Sequence, residues 1–170
     1  MPKRPLTEKQ LLFRVRVCLL IVIGGLVVSG VTAYPLETEL RWGVEQLGLD
    51  PSASPEDHPP LQRWLLQVYQ GLRETNQNYP FLAYGTDWLA FAHLVIAIAF
   101  IGPLRDPVKN IWVIQFGMIA SVLVIPNTLI CGTLRGLPFF HLLIDLSFVT
   151  ALVPLYLAYR YTKLLHAQKA

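Results

Sequence analysis

The sequence predicts an all-α integral membrane protein, a four-transmembrane-helix up-down bundle with two short amphipathic helices in its first outer loop. Three observations predict it. Apolar stretches at residues 11–34, 81–104, 111–132 and 138–159 are each long enough to cross a hydrocarbon core of ~30 Å, which takes about 20 helical residues. The composition, 54% hydrophobic and 15% charged, is more apolar than that of a soluble domain, which lies near 45–50% and about 25%. The cationic residues gather at the borders of the apolar stretches. Unpaired backbone amides are not tolerated in lipid, so the spans must be helices, and the 170 residues read as one membrane domain, 1–170.

The first span follows a basic segment with Lys3, Arg4, Lys9, Arg14 and Arg16. Val31-Thr32-Ala33 has the form of a signal-peptidase site. The apolar run 17–33 is longer than the about 7–15 residues of a signal h-region, so a retained transmembrane helix is expected. Gly25 and Ser29, four apart, offer a small-residue face for close helix packing.

The outer loop, 35–80, carries two helical patterns. Leu36, Leu40, Val44 and Leu47 recur at helical spacing, as do Leu61, Trp64, Leu65, Val68, Tyr69 and Leu72. Gln62, Arg63, Gln67, Gln70, Arg73 and Glu74 occupy the other face of the second helix. The proline-rich stretch 50–60 separates the two. They would lie on the outer membrane surface with Trp42 and Trp64 at headgroup depth, or form a lid over the mouth of the bundle.

Spans two and three are joined by a turn, residues 105–110, in which Pro107 stops a helix and Asn110 is placed to cap the next. Residues 132–136 turn between spans three and four. Short joints make neighbouring spans antiparallel, hence the bundle, and Pro126 and Pro154 are expected to bend spans three and four.

Orientation follows from the Lys/Arg distribution. With the N-terminus inside, the inner segments carry Lys3, Arg4, Lys9, Arg14, Arg16, Arg105, Lys109, Arg160, Lys163 and Lys169. The outer segments carry only Arg41, Arg63, Arg73 and Arg135. Both termini are therefore expected in the cytoplasm.

Composition and motifs also exclude functions. No basic patch with interleaved aromatics is present, which argues against nucleic-acid binding. Cys18 and Cys131, at opposite borders of the bundle, give no disulfide framework. The chain has no Gly-rich phosphate loop, CxxC, HExxH or GxSxG pattern and no internal repeat.

The candidate functional residues are the polar groups inside the apolar stretches. Ionisable side chains there cost about 2.5–3.5 kcal/mol each on insertion scales, so they are expected to face the bundle interior. Asp87 and His93 lie on span two, His141 and Asp145 on span four, and Asn127 on span three. At ~1.5 Å per residue His141 and Asn127 lie within about 6 Å of the outer border, Asp87 and Asp145 at about 9–11 Å and His93 at about 18 Å, so the polar groups collect in the outer half of the bundle.

His141 and Asp145, four apart, share a helix face, and an aspartate that orients a histidine serves a general base. Asp87 and His93 are six apart, about 120° around a helix, which disfavours a metal site shared by all four. A polar pocket in the outer half is expected. In it His141, Asp145 and Asp87 would be catalytic, and His93, Asn127 and Arg135 would bind ligand. Other readings stand beside it: His141–Asp145 as an interface-anchored pair, Asp87 as a helix-start residue, His93 bonded to a carbonyl or to Asn127, and Arg135 as a loop charge.

Three functions are compatible with such a pocket. The first is a lipophilic-ligand-binding protein or membrane enzyme, acting on an amphiphile that enters from the lipid bilayer. The second is an accessory or assembly subunit with membrane-protein partners. The third is an electron-transfer subunit with haem held by His93 and His141, which the about 12 Å difference in their depths handicaps. No cofactor is identified. The length and the long first outer loop resemble in layout the sterol-isomerase-like membrane proteins, which bind lipophilic amines and sterols. No motif aligns residue by residue, and the likeness transfers no site residue.

Overall fold

A computed structural model describes residues 6–169. Lys3 and Arg4 lie outside the described residues, as does the side chain of Lys169. Among the described residues the chain is helical throughout: α1 Glu8–Ala33, α2 Leu36–Gln46, α3 Pro60–Asn78, α4 Pro80–Ala99, α5 Ile101–Arg105, α6 Ile111–Leu134, α7 Phe139–Leu146 and α8 Leu152–Lys169. Two short 3₁₀ segments, Pro55–Asp57 and Ser147–Ala151, complete it.

Four helical stretches are long and apolar enough to cross a membrane: Glu8–Ala33, Pro80–Arg105, Ile111–Leu134 and Phe139–Gln168. Only 17% to 28% of their most apolar windows is buried within the protein. Most of that apolar surface faces outward, as lipid-facing helices require and soluble helices do not.

The breaks within the stretches have covalent causes. Pro103 has no N–H to give the carbonyl of Ala99, and the helix is interrupted there, with Phe100 N–H shared between the carbonyls of Ile96 and Ala97 at 3.3 and 3.2 Å. Pro154 leaves the carbonyl of Thr150 without its helical donor in the same way, and the chain tightens into the 3₁₀ segment Ser147–Ala151. The expected bend of span four is thus a replacement of helix type. Pro126, in contrast, is accommodated inside an unbroken α6.

The packing divides into two compact units. One consists of the described part of Met1–Gly25 with Ile96–Ala170, the other of Leu26–Val95. In the first, α6 packs along α7, the 3₁₀ segment and α8. Gly117 lets the helices approach, because a Cβ there would stand 2.7 Å from Phe100 Cζ and 3.1 Å from Leu155 Cδ1. Gly132 makes the same allowance for Leu142. The turn after α6 is a Schellman motif: Gly136 takes φ +64°, Leu137 N–H reaches the Gly132 carbonyl at 3.0 Å and Gly136 N–H reaches Thr133 at 3.1 Å.

Asn110 occupies the N-cap position of α6 but does not cap it. Its amide turns back to donate to the carbonyls of Asp106 (2.8 Å) and Gly102 (3.2 Å), so it closes the preceding turn instead. In that turn Asp106 accepts the Lys109 N–H at 3.1 Å, which holds its carboxyl below the ordinary carboxylate range.

In the second unit α2 and α3 form an antiparallel hairpin. Its core is Val44, Leu49, Leu66 and Tyr69, with Leu40 packed against them. Gly48 at φ +70° ends α2 with a second Schellman turn, which delivers Leu49 into that core. The expected stripe on α3 is only partly the buried one. Leu66 is fully buried while Leu61 remains 54% exposed, so the inward face is rotated toward Leu66 and Tyr69. Gln70, on that side, is satisfied by donating its amide to the carbonyls of Ala53 (2.9 Å) and Pro51 (3.2 Å), which fastens the proline-rich stretch to α3. Arg63 holds the same stretch through Glu56, at 3.1 Å to its carbonyl and 3.4 Å to its carboxylate. On α1 the close approach is made by Gly30, whose added Cβ would stand 2.9 Å from the Ala90 carbonyl. A Cβ at Gly25, the residue expected to pack, would meet nothing within 4 Å.

Candidate functional site

The most site-like feature lies wholly within the unit Leu26–Val95. Pro35 follows α1 and sets the start of α2 after a two-residue turn. Pro80 opens α4 one residue after α3 ends, at the position where a missing N–H costs nothing. The two prolines bring four helix ends together, and a cavity of about 370 Å³ opens among them. Its walls are Ala33 to Thr38 from the α1–α2 joint, Leu72 and Asn76 from α3, and Pro80, Ala83, Tyr84, Thr86 and Asp87 from α4.

Two carboxylates define its character. Glu37 lies in the first turn of α2, where the free amides of the helix start favour negative charge. Asn76 donates its side-chain N–H to one Glu37 oxygen at 2.5 Å, which fixes the carboxylate at the cavity wall. Asp87 is half-buried in the third turn of α4. That position excludes the reading of Asp87 as a helix-start residue, since the helix begins at Pro80. No protein hydrogen bond or ion pair engages the Asp87 carboxylate among the described residues. Thr86, its neighbour, spends its hydroxyl proton on the Ala83 carbonyl at 2.6 Å.

An aromatic row marks the same end of α4. Tyr79 and Phe81 meet edge-on at 6.4 Å, Tyr84 and Trp88 at 6.0 Å, and Trp88 and Phe91 at 5.9 Å. Phe81, Tyr84 and Trp88 are exposed.

The other expected site residues take distinct positions. His93 is half-buried on α4, and its Nδ1 lies 2.8 Å from the Leu89 carbonyl, the carbonyl-bonded alternative of the sequence reading. In the other unit, His141 and Asp145 stand one turn apart on one face of α7, both half-buried. Asn127 is exposed on α6, its Oδ1 3.7 Å from Cys131 Sγ, while the neighbouring Thr128 is the buried polar residue. Arg135 is exposed at the end of α6. Among the described residues no group of three or more His, Cys, Asp or Glu is placed to hold a metal ion.

Sequence reasoning singled out Asp87 but passed over Glu37 and Asn76. Each is ordinary in a polar segment, and only the pairing of α2 with α3 brings them to Asp87's end of α4. The available signal was Pro35 and Pro80: residues within two turns of either must share one border.

The chain matches no family model, no curated protein and no solved structure. The functional reading therefore rests on the geometry of the cavity.

Proposed function

We propose that this chain is a multi-pass membrane protein that holds a small amphiphilic ligand in the acidic cavity at the outer border of its first two spans. In this reading the four spans form an up-down bundle with both termini cytoplasmic. The outward-facing apolar windows of the helices and the ten inner against four outer cations support the threading.

The observation that carries the ligand reading is the unpartnered Asp87 carboxylate on the wall of a cavity of about 370 Å³. That volume falls within the about 300–1,000 Å³ of small-molecule sites. A carboxylate in a helix that spans a membrane is expensive unless something pairs with it. A ligand donor group supplies the partner, Glu37 and the Tyr34 and Tyr84 rings frame it, and an apolar tail extends along the exposed face of α4 into lipid. Acid–base chemistry on a bound ligand falls to Asp87.

The test is solvent extraction of the protein purified in mild detergent, followed by mass analysis of the extract. An organic molecule present at about one per chain, and lost in Asp87→Asn without loss of monodispersity, supports the reading. Equal extracts from both proteins contradict it. A second reading, an accessory subunit of a larger membrane complex, is favoured by exposed Trp42, Leu47 and Leu61 on the hairpin. It predicts partner polypeptides that copurify in fixed ratio and are lost in Trp42→Ser with Leu61→Ser.

A further inference from the structure

Three contacts collect one end of the unit built from the described part of Met1–Gly25 with Ile96–Ala170. Gln168 Nε2 on α8 donates to the Leu6 carbonyl at 3.0 Å, Arg14 Nη1 donates to the Tyr161 hydroxyl at 3.4 Å, and Arg16 Nε donates to the Leu104 carbonyl at 3.4 Å. The start of α1, the end of α5 and the end of α8 therefore meet, and with them Lys9, Arg14, Arg16, Arg105, Lys109, Arg160 and Lys163. Only two carboxylates, Glu8 and Asp106, share this end among the described residues.

The way these cations are held matters more than their number. Arg16 is pinned by a neutral backbone carbonyl, and Arg14 by a phenol hydroxyl and by the Tyr161 ring 5.5 Å from its guanidinium carbon. Neutral partners fix a guanidinium without cancelling its charge, and each guanidinium has five donors of which one is used. Arg105 follows directly on the carbonyl that Arg16 grips, and both side chains are exposed. The one acid in the turn is already engaged, since Asp106 accepts Lys109 N–H at 3.1 Å and lies 3.6 Å from Lys109 Nζ. Glu8 is two turns away along α1, about 12 Å. Immediately beyond the arginines the helices expose apolar side chains, among them Leu20, Ile98 and Ile101.

We propose that this end binds the phosphate of an anionic phospholipid, with Arg16 and Arg105 as the fork and the acyl chains on the apolar residues beyond. Planar guanidinium groups match phosphate oxygens in pairs, which ammonium groups do not. The apolar continuation selects a lipid over free phosphate. This inference rests on the membrane reading of the chain and is independent of the acidic cavity.

The test is native mass spectrometry of the full-length protein in mild detergent, titrated with dioleoyl phosphatidylglycerol or dioleoyl phosphatidylcholine. The wild type is expected to retain phosphatidylglycerol about fivefold better than phosphatidylcholine. Arg16→Gln with Arg105→Gln is expected to lose that preference, and Arg41→Gln with Arg73→Gln on the hairpin to keep it. If the glutamine pair does not fold, Arg16→Lys with Arg105→Lys retains the charge without the fork, and a weakened preference in that pair supports the proposal. Equal binding of the two lipids by the wild type, or a full preference in the substituted pair, overturns it. Displacement of phosphatidylglycerol by millimolar inorganic phosphate also overturns it. Recovery of the chain in the soluble fraction after alkaline extraction of membranes removes the membrane reading as well. A membrane-embedded chain without a lipid preference removes only this inference.

Discussion

The side-chain amide of Asn76 donates to a carboxylate oxygen of Glu37 across 2.5 Å, joining the last turn of α3 to the first turn of α2. This bond closes the hairpin at the end where its chain continues into the membrane-length helices α1 and α4. It also aims one of the two acidic groups at the cavity. Structure and site depend on the same contact.

Replacing Asn76 by Ala leaves Glu37 without its donor. Hydrogen bonds to charged groups contribute about 1.5–3 kcal/mol, and the half-buried setting places this one at the lower end. A lower melting temperature in detergent, with reduced retention of any cavity ligand, is expected. An unchanged melting point together with unchanged retention would show that the bond organises neither.

Leu66→Ala removes a side chain that is 0% exposed at the centre of the hairpin core. The expected destabilisation is about 2–5 kcal/mol. Leu61→Ala, on the same helix but 54% exposed, is expected to stay within about 0.5 kcal/mol. Thermal unfolding of the two variants side by side tests which face of α3 is inward.

That face is also where reading the sequence stops short. Apolar spacing correctly gives two helices around a proline-rich joint. Of the stripe Leu61, Trp64, Leu65, Val68, Tyr69 and Leu72, Tyr69 enters the hairpin core, but the fully buried Leu66 lies outside the stripe and Leu61 is exposed, because the core forms around Val44 and Leu49. The four long apolar stretches are legible because lipid demands about 20 apolar residues whatever they pack against. The 3₁₀ segment in the last stretch is signalled only by Pro154. Close-approach glycines are not legible at all: Gly25 and Gly30 look alike in sequence, and only Gly30 faces a backbone, at Ala90. For the site, Asp87 announces itself as a charge in an apolar run, whereas Glu37 and Asn76 need the tertiary pairing of α2 with α3.

At Gly117 a Cβ would lie 2.7 Å from Phe100 and 3.1 Å from Leu155. Gly117→Val is therefore expected to cost about 1–3 kcal/mol by overpacking. Gly25→Ala, with open space around it, is expected to be neutral or slightly stabilising, since Ala is the better helix former. Equal effects at the two positions would contradict the described α6 packing.

The hairpin has an acid-sensitive joint. Asp50 accepts the Ser52 N–H at 2.9 Å and the Ser52 hydroxyl at 2.7 Å, and these bonds hold its carboxyl below the ordinary aspartate value. A group lowered on folding contributes stability above its unfolded pKa of about 3.9 and loses it as pH falls through the lowered folded value. Melting of the wild type is expected to decline over that acidic window, and Asp50→Ala to show a smaller decline. A steeper decline in the variant would reverse the assigned sign.

The central claim, a ligand held at Asp87, is tested most directly by a native mass spectrum of the protein released from mild detergent, compared with Ala83→Trp. Ala83 lines the cavity, and an indole there fills it while sparing both carboxylates. The account predicts a discrete small-molecule mass excess on the wild type and a bare chain for the tryptophan variant. A bare wild-type chain, or the same adduct on both proteins, would contradict it.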